Sequence, residues 1–273
     1  MIVKPIHKNI SRALSPNKKQ QIKKHQEYAA LSTDCKTESF DNSPADYKKL
    51  CIVKNPKTGF GASVYKNLNE NEIIIAYRAT NNQEGVVSDM EMIKGEIPSQ
   101  YDDAIELYDI IKNAYPHFKI SITGHSLGGS LAELVASSDK RTEAVTFDSF
   151  GTLPIVKSDD NQLGDNNNCT NYVTQNSIVS NVTPHVGQTK TIVARNLPVT
   201  LLPHEDIKNK HSMDCFKNLK GSVYSPEIIE EPKRKINAIV TKYVGNILKC
   251  HPKLGEKIPK IFFDKTPEMD YVA

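Results

Sequence analysis

The first chemical signal in the chain is Gly124-His125-Ser126-Leu127-Gly128, a Gly-x-Ser-x-Gly motif. An apolar run from Phe118 to Thr123 precedes it and reads as a buried strand, while Leu127 to Ser138 reads as a helix starting directly after the serine. Strand, sharp turn and helix together make the motif a nucleophile elbow. Both glycines are needed because a side chain there would strike the neighbouring strand or helix. The serine hydroxyl is then held clear of the sheet, above a helix N-terminus whose unpaired amides favour negative charge. Attack of an activated alcohol on a carbonyl is the chemistry such a turn serves. A glycine-rich turn with an incidental serine is the alternative, and the flanks on both sides speak against it.

A serine hydroxyl is a poor nucleophile at neutral pH and needs an imidazole within hydrogen-bond reach. After an elbow of this kind the acid and then the base follow in chain order, on loops behind successive strands. The base is therefore expected beyond the last strand, which within residues 1–220 leaves His204 and His211. Two backbone amides must face the developing oxyanion, and Leu127, next after the serine, supplies one. His125 is read as a structural residue of the elbow, its ring turned away from the serine's side.

These groups need a sheet to hold them, and the pattern predicts one. Leu50–Lys54 and Gly61–Lys66 read as a hairpin across Asn55-Pro56-Lys57-Thr58-Gly59, and Ile73–Tyr77 as a strand buried on both faces. Helices are predicted over Lys18–Leu31 and Ser99–Ala114, the second stopped by Tyr115-Pro116. Ala144–Phe147, Asn171–Gln175 and Thr191–Arg195 are the remaining predicted strands, with an exposed loop over Ser158–Thr170. Strands alternating with helices imply a mostly parallel, doubly wound α/β sheet with antiparallel strands at its start. Residues 1–220 are read as this domain and 221–273 as a helical extension. Within the extension, Lys233–Lys249 puts Ile236, Ile239, Val240, Tyr243, Val244, Ile247 and Leu248 on one face and is rimmed by lysines. That helix is expected to pack on the core or form a lid, with docking on an anionic membrane surface as the alternative. Val86, Val87, Met90, Met92 and Ile93 read either as an apolar lid or as ordinary packing beneath a loop.

Three segments taken together resemble one family. Ile74-Ile75-Ala76-Tyr77-Arg78-Ala79-Thr80, Thr123-Gly124-His125-Ser126-Leu127-Gly128-Gly129-Ser130-Leu131-Ala132 and Ala144-Val145-Thr146-Phe147 are similar to the class 3 lipases, the fungal triacylglycerol lipase-like α/β hydrolases. The likeness spans roughly residues 25–218. It implies an α/β-hydrolase fold and a base within His-x-Met/Leu-x-x-aromatic, which His211-Ser212-Met213-Asp214-Cys215-Phe216 fits better than His204-Glu205-Asp206. It implies Thr80 as the second oxyanion donor, with Ala79 replacing the family's glycine. The family's acid sits in an Asn-Asp-x-Val pattern, but this chain has Asn176-Ser177-Ile178-Val179 and so a serine at that place. Asp148, ending the strand after the nucleophile strand, is the first substitute, a position from which pancreatic lipase-like hydrolases take their acid. The same residue also reads as a turn-initiating aspartate, and Asp206 and Asp214 are the further candidates.

The expectation is a serine esterase acting on lipid or other esters. The alternative is a weak or inactive hydrolase fold serving as a binding module, suggested by Ser177 and Ala79. The 273 residues are 38% apolar and 25% charged, enough for a sizeable core without disulfide staples. A net charge of +3, without an aromatic-interleaved basic motif, argues against nucleic acid. Five scattered cysteines without a C-x-x-C pair read as reduced thiols rather than a disulfide framework or zinc site. Neither a metal-ligand cluster nor a phosphate-cradling loop is recognisable, so no cofactor is expected. Residues 1–15 carry no apolar stretch of signal-peptide length, so a soluble protein is expected, cytoplasmic or exported without a cleaved signal.

Overall fold

Ile73, Ile74 and Ile75 carry β-branched side chains that favour extended backbone, and in the computed structural model they occupy a fully buried strand of an eight-stranded sheet. The structure describes residues 15–192, apart from 42, 80–87, 90, 93–94, 159–162, 165–166, 176, 178 and 182, together with 211–217, 219 and 223–224. Strands β1 (Tyr47–Asn55), β2 (Phe60–Asn67) and β3 (Glu72–Tyr77) pair antiparallel. From β3 the sheet runs parallel through β4 (Lys119–His125), β5 (Glu143–Phe147), β6 (Cys169–Thr174) and β7 (Gln188–Ile192). A short β8 (Val223–Tyr224) adds an antiparallel edge. Strand order across the sheet is the order in the chain.

Alternation along β3 divides the core. Ile73, Ile75 and Tyr77 pack with helices α2 (Tyr101–Ala114) and α3 (Leu127–Ser138), while Ile74 and Ala76 pack with α1 (Pro16–Asp34) on the other face. Burial of each of these isoleucines contributes roughly 1.5–3 kcal/mol. At the start of α1, Ser15 accepts the Lys18 N–H, and Pro16 takes the first helical position, where no N–H is required. At its end Asp34 meets the buried Lys49 ammonium at 2.9 Å and the Tyr65 hydroxyl at 2.8 Å, which ties the helix to the hairpin. Ser32 bonds Thr123 at 2.9 Å, fastening the same helix over the strand that leads into the elbow.

Parallel register sets Tyr77 opposite Gly124, His125 opposite Phe147 and Phe147 opposite Tyr172. The C-terminal tips of β3, β4, β5 and β6 therefore form one rim.

Strand boundaries differ from the sequence reading at both ends of the sheet, and β1 begins at Tyr47 rather than Leu50. The last parallel strand starts at Gln188 rather than Thr191, because its polar residues Gln188, Thr189 and Lys190 keep partly exposed side chains that hide the strand pattern. Cys169 and Thr170 are buried in β6 and do not belong to the exposed loop. Met92 lies in the apolar cluster that includes Leu127 and Phe150. Val86, Val87, Met90, Ile93 and the expected helix over residues 233–249 lie outside the described residues. No helix among the described residues is long and apolar enough to cross a membrane.

Candidate active site

The β4–α3 turn is as tight as its glycines suggest. A Cβ on Gly124 would lie 2.2 Å from the Gly128 carbonyl oxygen, and one on Gly128 would lie 2.2 Å from that of Tyr77. Ser126 sits between them with φ 56° and ψ −129°, a region L residues rarely enter. Its backbone N–H donates to Phe147 O at 3.0 Å, pinning the elbow to β5. Leu127 is fully buried as the first residue of α3, where a helix leaves its amide without an intrahelical acceptor.

His211 reaches this turn from outside the sheet, just before a short 3-10 helix (Met213–Phe216) whose Phe216 packs in the α1 side of the core. Its Nε2 lies 2.8 Å from Ser126 Oγ and its Nδ1 lies 2.6 Å from Asp148 Oδ2. With Nδ1 donating to the carboxylate, Nε2 is free to accept the serine proton. The ring keeps 20% of its surface, whereas the Asp148 side chain is fully buried.

Asp148 follows β5 with φ 48°, its N–H donating to Tyr172 O at 2.8 Å. Four donors reach its carboxylate. Thr174 N–H (3.0 Å) and Ser180 Oγ (2.6 Å) meet Oδ1, while Ser177 Oγ (2.8 Å) and His211 meet Oδ2. Ser177, which the sequence resemblance set in the acid's place, thus donates to the carboxylate that follows the neighbouring strand.

His125 departs from its sequence reading. Its ring does not turn away but packs on His211 with centroids 4.6 Å apart, and its Nε2–H donates to the His211 carbonyl at 2.9 Å. Burial, and then the neighbouring His211, push its pKa well below the ordinary histidine value and keep the ring neutral. Nothing local in the sequence announces this contact, since its partner lies far along the chain.

Ser126, His211, Asp148 and Leu127 are therefore brought together, while Thr80, His204 and Asp206 lie outside the described residues. Asp214 stays apart: its carboxylate is 70% exposed and pairs with Lys217 at 2.7 Å. Among the described residues no group of three His, Cys, Asp or Glu side chains is arranged to hold a metal ion.

A family described as phospholipase-like, with a Tle-like phospholipase domain, matches residues 23–199. Among solved structures, the lipase from Rhizopus microsporus var. chinensis is similar at 19% identity and a TM-score of 0.50, over 72% of this chain and 86% of that one. A mutant of MDLA from Penicillium cyclopium is similar at 14% identity and 0.50, over 75% and 98%. At such identities the likeness concerns the fold, that of the α/β hydrolases. No curated protein sequence matches the chain.

Proposed function

The chain belongs to the Tle-like phospholipase domain family of lipase-like α/β hydrolases, and from that premise we propose that it is a serine hydrolase of carboxylic esters in lipids. The observation carrying this reading is the unbroken line from Ser126 Oγ through the His211 ring to Asp148, with steps of 2.8 and 2.6 Å.

In the proposed reaction Ser126 Oγ attacks the ester carbonyl carbon while its proton passes to His211 Nε2. Asp148 holds Nδ1–H and balances the imidazolium that forms. The Leu127 amide stabilises the oxyanion, and Thr80 is proposed as the second donor from the sequence resemblance. Collapse of the tetrahedral species expels the alcohol, which takes the proton from His211 and leaves an acyl-serine. Water then attacks that acyl-serine, giving its proton to His211, and the carboxylic acid departs as Ser126 is reprotonated.

Ser177 suggested an inert scaffold at first sight. Its hydroxyl donates to Asp148 instead, which supports an equipped site. The helix expected over residues 233–249 is proposed to pack on the core or form a lid, and the second reading is that it contacts anionic lipid. That idea rests on sequence pattern, and salt-sensitive binding to anionic liposomes that survives Ser126→Ala tests it.

The decisive experiment for the hydrolase reading is labelling by a fluorophosphonate probe, with p-nitrophenyl ester turnover, for wild type and Ser126→Ala. Labelling and turnover are expected in wild type alone. Equal labelling of both proteins rejects the reading.

A further inference from the structure

Beyond Asp148 lies a second histidine–carboxylate pair that the reaction does not use. The side chains of His185 and Glu133 are both fully buried, with His185 Nδ1 2.8 Å from Glu133 Oε1. Glu133 projects from α3, the helix that begins at the nucleophile. It also accepts the Ser149 hydroxyl at 2.6 Å, the Thr152 hydroxyl at 2.9 Å and the Val186 amide at 3.4 Å. His185 Nε2 faces the Ser180 carbonyl oxygen at 2.9 Å. A neutral imidazole has one N–H, yet both nitrogens of this ring face oxygens, so opposite an ionised Glu133 both donate and the ring is an imidazolium. Burial opposes that charge, but the Glu133 charge and its hydrogen bond outweigh burial and raise the pKa above the ordinary value.

Ser180 is the joint between this pair and the site. Its carbonyl is held by His185, and its hydroxyl donates to Asp148 Oδ1 at 2.6 Å. A carboxylate turns readily about its terminal bond. Keeping Oδ2 on His211 therefore requires Oδ1 to be held, and Ser180 and the Thr174 amide are the groups that hold it. We propose that Ser180, fixed by the buried His185–Glu133 ion pair, is a positioning residue that aims the Asp148 carboxylate at His211. The proposal rests on the reading of Ser126, His211 and Asp148 as the reacting groups. A buried ion pair is often no more stabilising than apolar residues of similar volume, so holding a neighbouring group in register is the role that distinguishes it.

The test uses the full chain with Ser180→Ala and Ser180→Thr. It reads kcat and KM on a p-nitrophenyl ester, Tm, and the downfield proton resonance of His211 Nδ1–H. Ser180→Ala is expected to lower kcat about tenfold with KM within about twofold, and to shift or broaden that resonance. Ser180→Thr, which keeps the hydroxyl, is expected to return kcat to within about threefold of wild type. Equal losses in both variants alongside a lowered Tm assign Ser180 to packing and overturn the proposal. So does an unchanged kcat in folded Ser180→Ala. Independently of how the variants fold, nitrogen NMR of the wild-type ring at neutral pH is expected to show two protonated nitrogens on His185, and a single proton overturns the proposal. Absence of any Ser126-dependent turnover in wild type removes the reaction reading and this proposal with it, whereas an active wild type beside an equally active Ser180→Ala removes this proposal alone.

Discussion

His125 donates its Nε2–H to the backbone carbonyl of His211 at 2.9 Å, and the two rings lie 4.6 Å apart with 34° between their planes. His125, the residue before Ser126, therefore sets the height and tilt of the His211 ring. His125→Phe preserves an aromatic body but removes the donor. It is expected to lower kcat by about tenfold while KM stays within about twofold, the cost of one buried hydrogen bond that orients a reacting group. Steady-state ester kinetics check this.

Of the three buried histidines described, His125 and His25 predict one pH dependence of stability and His185 the opposite one. For His125 the folded pKa is depressed, so below about pH 6.5 the unfolded chain binds a proton that the fold refuses. Stability is expected to fall as pH drops through that range, and His125→Phe to flatten the part of this limb that His25, also depressed by burial, does not carry. His185 has a raised folded pKa, so its contribution is complete below about pH 6.5 and lost as pH rises through the folded value. Urea unfolding from mildly acidic to mildly alkaline pH, on wild type, His125→Phe and His185→Gln, separates the two limbs.

Backbone strain makes Ser126, the proposed nucleophile, a liability for the fold. At φ 56° and ψ −129° glycine is the comfortable residue, so Ser126→Gly is expected to abolish probe labelling and raise stability by about 1 kcal/mol. Gly128→Ala should act in the opposite sense. Its new methyl would meet the Tyr77 carbonyl at 2.2 Å, with an expected loss of about 3 kcal/mol or failure to fold. Thermal and urea midpoints distinguish both outcomes.

The acid is open to a sharper trial. Asp148→Asn keeps the shape but presents the wrong partner to His211 Nδ1, and is expected to lower kcat on the order of 10⁴-fold with little change in Tm. Asp214→Asn, at an exposed side chain paired with Lys217, is expected to change nothing measurable. Ser177 Oγ lies 2.8 Å from Asp148 Oδ2, so the transposed double variant Asp148→Ser with Ser177→Asp moves the carboxylate by about one residue's reach. It is expected to be at least tenfold more active than Asp148→Ser alone.

The elbow and the sheet were readable because their signals are local: a glycine spacing at Gly124 and Gly128, and β-branched runs such as Ile73–Ile75. The grouping around Ser126 was readable only in part. Chain order within residues 1–220 narrows the histidine to two places, but proximity comes from strand register, which sets His125 beside Phe147 and Phe147 beside Tyr172. Asp148 could be written with equal justice as a turn residue, because its four donors come from Thr174, Ser177, Ser180 and His211, none of them near it in sequence. Neither His185 nor Glu133 has a motif. Each became visible only when burial removed water as its partner.

Because strand order copies chain order, the ends of β5 and β6 are next-door sockets at one rim, and the hydroxyl in one touches the carboxyl in the other. A single negative charge can then change address by one socket without the imidazole leaving its post. On this sheet two substitutions, Asp148→Ser and Ser177→Asp, are then enough to carry the charge from one socket to the other.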